Sequence, residues 1–252
     1  MFITCKRANR LTKKRLSYLI WIIFQLLSEI NLFNTNTIYV RPFFPIFLIL
    51  TFWVLSVYAQ QAKDSTEREP KNSFEVFING KRYKVVEGEV LTLDTTLSKP
   101  SISIRLSDRK KFETPSLSFE YPKHLSFEYE KNPGIKTWTL TGNSLVVMLF
   151  EFEDKTPLDT LTDALVEKFG KKNCVAENFK KELGHQLLNG KRLHVTLAGT
   201  KLNLDLYEFN SEDSKTHFIS FQDTLKDDGD FSDEFNQGFQ LINNSIRFSK
   251  LP

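Results

Sequence analysis

The sequence predicts an α+β fold, an antiparallel β-sheet with helices packed on it as an αβα sandwich. Three observations predict it. Residues 192–198 and 201–207 alternate polar and apolar side chains with period two, which marks strands with one face on a core. The stretches opening at Thr156-Pro157 and near Ser232 carry apolar residues at helical spacing. The order is strands, helix, strands, helix, with short connections, not the strand–helix alternation of a parallel sheet.

The alternating pair sets the frame. Between its strands lies Gly199-Thr200, and glycine at the first central position suits a two-residue type II′ turn. That turn sets Leu197 opposite Leu202, Val195 opposite Leu204 and Leu193 opposite Leu206, all six on one face. His217, Ile219 and Phe221 alternate in a third strand.

Charge is segregated along the 252 residues. Residues 1–59 hold seven Lys/Arg and one acid, Glu29, whereas the remainder holds 27 Lys/Arg against 30 Asp/Glu. A slightly acidic domain gives no electrostatic reason to bind nucleic acid. Cys5 lies in the basic N-terminus and Cys174 stands alone in the rest, so neither an intramolecular disulfide nor a cysteine-based zinc site is expected in the domain. Cys174 reads as a buried, inert thiol.

Two apolar segments precede the domain, residues 16–33 and the uncharged residues 43–59. The second runs from Phe43 to Ala59, with Arg41 before it and Gln60 after it. A base, an apolar run and a small residue make a signal-peptide pattern with cleavage between Ala59 and Gln60. Two alternatives stand beside export to a periplasmic or secreted location. Phe43 to Ala59 would stay as an uncleaved anchor facing outside the cytoplasm, or both segments would span as a hairpin.

Residues 60–72, with Pro70, read as a linker, residues 73–109 as a small β extension, and residues 110–252 as the main domain. In the extension, Asn79-Gly80 is a type I′ hairpin signal that pairs Val76 with Tyr83, Phe74 with Val85 and Glu75 with Lys84. Residues 90–93 and 102–106 would complete a four-stranded meander. In the main domain, residues 116–121 and 125–130 read as short strands. Gly142-Asn143 joins a hairpin with Trp138 opposite Val147 and Leu140 opposite Leu145. Its second strand, residues 145–152, is apolar on both faces and should be central. Thr156 is expected as N-cap and Pro157 at N1 of a helix with the stripe Leu158, Leu161, Leu165, Phe169 and a Gly170 cap. Residues 174–188 read as a strand that reaches a turn at Asn189-Gly190. The last helix carries Phe235, Phe239, Ile242 and Ile246 on its core face.

Five pieces of sequence carry a family resemblance: Ser118-Phe119-Glu120-Tyr121-Pro122, Trp138-Thr139-Leu140-Thr141-Gly142, Gly190-Lys191-Arg192-Leu193, Asp205-Leu206-Tyr207-Glu208-Phe209 and Ser245-Ile246-Arg247-Phe248. With them, residues 112–249 resemble the PsbP/Mog-type α/β sandwich superfamily, including bacterial periplasmic relatives of the DcrB type. The resemblance implies a non-catalytic binding or assembly role, with partners that differ between members; a protein partner or small ligand, and no cofactor, is expected here. It carries over no binding residue.

No Gly-x-Ser-x-Gly, phosphate-binding loop, dinucleotide fingerprint or His-Glu-x-x-His occurs. The acidic run 227–234 fails the EF-hand frame and reads as a solvated turn into a helix N-terminus. One constellation has chemistry. A turn at Asn189-Gly190 would set His185, His194 and Asp205 in a row across three strands, where they could bind a divalent metal. The competing reading is a polar sheet face with a His–Asp hydrogen bond. The sequence thus points to an exported, non-enzymatic binding or assembly module. The alternatives are a membrane-anchored accessory protein held by residues 43–59 and a metal-dependent enzyme at the His/His/Asp cluster.

Overall fold

A computed structural model describes residues 65–94, 96–211 and 215–249. The two apolar segments, Cys5 and the Ala59/Gln60 junction lie outside them. Thirteen strands and two helices of more than one turn are found among the described residues. Three sheets form. β1 (Ser73–Ile78), β2 (Lys81–Val86) and β3 (Ile102–Leu106) make a small one in the order β2-β1-β3. β4 (Arg109–Glu113) and β5 (Leu117–Pro122) pair with the short β13 (Arg247–Phe248). The third is the body of the protein. It joins β6 (Ser126–Asn132), β7 (Ile135–Thr141), β8 (Leu145–Phe152), β9 (Cys174–Leu183), β10 (Gln186–Leu197), β11 (Thr200–Phe209) and β12 (Thr216–Thr224) in the order β6-β7-β8-β12-β11-β10-β9. All its neighbours are antiparallel.

The helices are α1 (Leu158–Phe169) and α2 (Asp233–Ser245). The expectation of an αβα sandwich is corrected here. The described residues are mostly antiparallel sheet, 52% strand against 15% helix, and the fold they form is β-rich. The excess strand comes from stretches such as 109–113 and 247–248, where pairing with β5 makes strand that the local pattern does not show.

Two cores flank the seven-stranded sheet. On one side, Val146, Met148 and Phe150 of β8, Leu193 and Val195 of β10 and Leu202, Leu204 and Leu206 of β11 meet Leu158, Leu161, Leu165 and Phe169 of α1. On the other, Leu145, Val147, Leu149, Tyr207, Ile219 and Phe221 meet the β4-β5-β13 sheet and α2 through Phe119, Tyr121, Phe235 and Ile242. β8 is therefore buried at all eight positions, as its two-faced apolar sequence requires.

The Asn79-Gly80 hairpin has the expected register, with φ of 49° and 80° at the two turn residues. Glu75 faces Lys84 but forms its ion pair with Arg82, while Lys84 reaches Glu120 at 2.9 Å. Residues 90–93 form no strand, and Val90 is 89% exposed, so the meander has three strands.

Two further hairpins turn one residue away from the expected place. The first turns on Ala198-Gly199, with φ of 49° and 82°, and pairs Val195 with Leu202 and Leu193 with Leu204. The second turns on Asn143-Ser144, where the Gly142 amide donates to the Leu145 carbonyl at 2.8 Å, and pairs Trp138 with Leu149 and Leu140 with Val147. Moving a turn by one residue moves the register by two, so every apolar side chain keeps its face.

α1 starts one residue later than expected. Pro157 is its N-cap, no side chain caps it, and the Thr156 amide donates to Thr216 Oγ1 at 3.0 Å. Gly170 closes it as expected, at φ 85°. Ser232 caps α2 by accepting from the Phe235 amide at 3.0 Å, and Asp233 and Glu234 lie in the first turn, where the helix dipole favours acids. The Glu234 carboxylate also accepts from the Ser144 and Leu145 amides at 2.5 and 3.1 Å. The last helix is thereby fastened to the β7–β8 turn.

Candidate functional site: a lysine-lined groove

β10 runs unbroken through Asn189-Gly190, and the turn before it is Gly184-His185, with φ of 59° and 66°. This separates the three residues of the suspected metal row. His185 sits in that turn beside Glu182, at 3.3 Å. His194 lies nine positions along, roughly 30 Å away at the rise of an extended strand. It faces Asn203 and Val175, with Nδ1 2.8 Å from Asn203 Oδ1 and Nε2 3.2 Å from Glu177. Asp205 is opposite Arg192, which donates to both its oxygens, at 2.5 and 2.7 Å. Among the described residues no three His, Cys, Asp or Glu side chains gather as a metal-holding group. Asn189-Gly190 is strand because Gly190 is a point of close approach. A Cβ there would come 2.5 Å from the Phe179 ring and 2.6 Å from the Leu206 carbonyl oxygen.

Phe179 lies over that glycine, edge-on to Tyr207 at 5.1 Å. The Arg192 guanidinium stands 5.7 Å from both the Phe179 and the Phe231 rings. Hydrogen bonding to Asp205 raises the Arg192 pKa despite burial. Asp205 is 1% exposed, so this is a buried ion pair with aromatic neighbours, and both charges are engaged. Cys174, at the start of β9, is buried, and burial raises its thiol pKa, in keeping with an inert cysteine.

A groove of about 970 Å³ opens between the start of α1, the middle of the β9–β10 pair and the β11–β12 end. Four lysines line it: Lys155 before α1, Lys180 on β9, Lys191 on β10 and Lys215 before β12. Lys191 is paired with Asp159 in the first turn of α1. Lys215 donates to Glu151 at 2.5 Å, and Lys136 reaches the same carboxylate at 3.1 Å. Burial works against the Glu151 charge, but these two lysines outweigh it and hold its pKa below the usual carboxylate range. Lys155 and Lys180 have no ion pair among the described residues. Asn178, Asn189 and Asn210 supply amide groups to the walls, and Glu208 adds a second acid beside Asp159. With four lysines against two acids, the lining is net positive, and the uncapped amides of α1 add to that potential.

These lysines come from four separate segments, and no local pattern in the sequence singles them out. Lys155 beside a helix that starts on a proline, without a capping side chain, is the one local hint.

No family model and no curated protein matches the chain. The PsbP/Mog-type resemblance therefore rests on the sequence pattern alone. Among the described residues no helix is long and apolar enough to cross a membrane.

Proposed function

We propose that this chain is a non-enzymatic binding module, exported or membrane-tethered, whose groove takes a small ligand bearing carboxylate or phosphate groups. The observation that carries the reading is the groove itself. Lys155 and Lys180 reach it without a carboxylate of their own, and asparagine amides beside them can accept and donate hydrogen bonds to orient a polar molecule. A cavity of this volume suits a small organic anion. The buried pair behind the Phe179 wall, Arg192 with Asp205, is mutually satisfied and has no spare group for proton transfer or nucleophilic attack. The export part of the reading is supported by the apolar run that ends at Ala59-Gln60.

Calorimetric titration with citrate and with inorganic phosphate tests the groove. Binding should weaken as salt rises and should be lost in the Lys155→Ala/Lys180→Ala variant, with folding unchanged by circular dichroism. No heat with either probe, or equal binding by the variant, would overturn the assignment.

A further inference from the structure

We propose that the free edge of β3 pairs with the same edge of a second copy of this chain, joining two small sheets into one six-stranded sheet. Ile102, Ile104 and Leu106 are 56%, 64% and 47% exposed and stand on one face of β3. Their cross-strand partners on β1 are Ile78, Val76 and Phe74, so the exposed side chains continue an apolar face.

The backbone of the strand is open on its outer side. The Asn79 amide donates to the Ser101 carbonyl and the Ser107 amide to the Ser73 carbonyl, at 2.9 and 2.8 Å. Alternation in an antiparallel ladder then turns the peptide groups of Ser103 and Arg105 toward β1, and those of Ile102, Ile104 and Leu106 away from it. β3 is the edge of its sheet, so these three residues present unpaired donors and acceptors. Neither a proline nor a bulge interrupts the strand, and Arg105 is its single charge.

The sequence of the edge fits a copy of itself. An antiparallel pair centred on Ile104 sets Ile104 opposite Ile104, Ile102 opposite Leu106 and Ser103 opposite Arg105. All three outward residues of each copy would gain hydrogen bonds, and every apolar side chain would meet another on the same face. Neither arginine faces the other. Each already lies opposite Glu75 of its own β1, 5.7 Å from the Phe77 ring. An isologous contact of this kind closes into a two-fold dimer in which both β3 edges are used.

Residues 71–111 hold nine Lys/Arg against five Asp/Glu, so two copies repel each other at long range. Salt screens that repulsion, and self-pairing should strengthen as salt rises. An acidic partner or an anionic lipid surface would show the opposite dependence. One five-residue edge is a small contact, which places the dimer among weak, transient assemblies.

Sedimentation velocity of the full chain in mild detergent tests this. The weight-average mass should rise toward the dimer at high micromolar concentration, and more so in high salt. Ile104→Lys and Ile104→Glu each set like charges opposite one another and should sediment as monomers. Both change an exposed side chain, so folding should persist. Mixed in equal amounts, the two variants should recover the dimer, because lysine then faces glutamate across the two-fold axis. A wild-type mass that Ile104→Lys leaves unchanged would overturn the proposal. So would a mixture that stays monomeric, or a wild-type chain that binds phosphatidylglycerol vesicles instead of itself.

Discussion

Removing the Asp205 carboxylate tests how the polar part of the second core is held. Asp205 is 1% exposed, and Arg192 reaches it through two hydrogen bonds while standing 5.7 Å from each of two phenylalanine rings. Asp205→Ala leaves the guanidinium without its counter-charge. Breaking a buried pair from one side costs about 3–5 kcal/mol. The Arg192 side chain keeps 23% exposure, so water reaches part of it. The lower end, about 3 kcal/mol, is therefore expected. At about 2–4 °C per kcal/mol for a domain of this size, Tm should fall by roughly 6–12 °C. Urea denaturation followed by tryptophan fluorescence gives the free energy directly. The control is Asp205→Leu with Arg192→Met, which removes both charges and should recover most of the loss. A cost below about 1 kcal/mol for Asp205→Ala, the range of exposed pairs, would refute the reasoning. A double variant as unstable as the single one would do the same.

Three other outcomes follow from the geometry. Gly190→Ala should cost about 1–3 kcal/mol, because the new methyl group meets the backbone oxygen of Leu206 as well as the Phe179 ring; a urea midpoint equal to wild type would contradict that. Burial opposes the charge on Glu234, but the amides of Ser144, Leu145 and Asn143 and the His124 ring outweigh it and lower its pKa. Its stabilising contribution should be fully present above the unfolded carboxyl pKa of about 4.3 and lost as pH falls through the lower folded value. The stability gap between wild type and Glu234→Gln should accordingly be widest near neutral pH and close in acid, as measured by urea midpoints across pH; a gap that widens in acid would reverse the assignment. Cys174 should react with a thiol reagent only on unfolding, so rapid labelling of the native protein at that position would show it to be accessible.

The strands and their faces were legible where alternation is strict, and α2 was legible from Ser232 and its apolar spacing. The turns were less so. Gly199 marks a turn, but the sequence does not say whether it takes the first or the second central position. Ala198 accepts φ 49° here, and the loop shifts by one residue. Asn189-Gly190 misled for a different reason. A glycine can be selected by what crosses it, and here the Phe179 ring crosses it, so a hairpin signal sits inside a strand. The His185, His194 and Asp205 row depended on that turn and came apart with it. The balance between helix and strand was misjudged because long-range pairing, as between β13 and β5, leaves no local trace in the chain. The lysines of the groove were invisible for the same reason.

The order of the central sheet has a consequence for how the protein is made. β6-β7-β8 and β9-β10-β11-β12 are each runs of sequence neighbours, and one seam, β8 against β12, joins them. In that seam Phe152 waits for Thr216, and Leu145 for Asp223. During synthesis β8 emerges early, with an apolar residue at seven of its eight positions and one edge unpaired. Its partner is not available until α1 and three further strands have been translated. That interval is when the nascent chain is most exposed to misassociation, and it ends only when β12 closes the seam. Closure of this distant pairing, rather than formation of either meander, is then the step expected to set the folding rate.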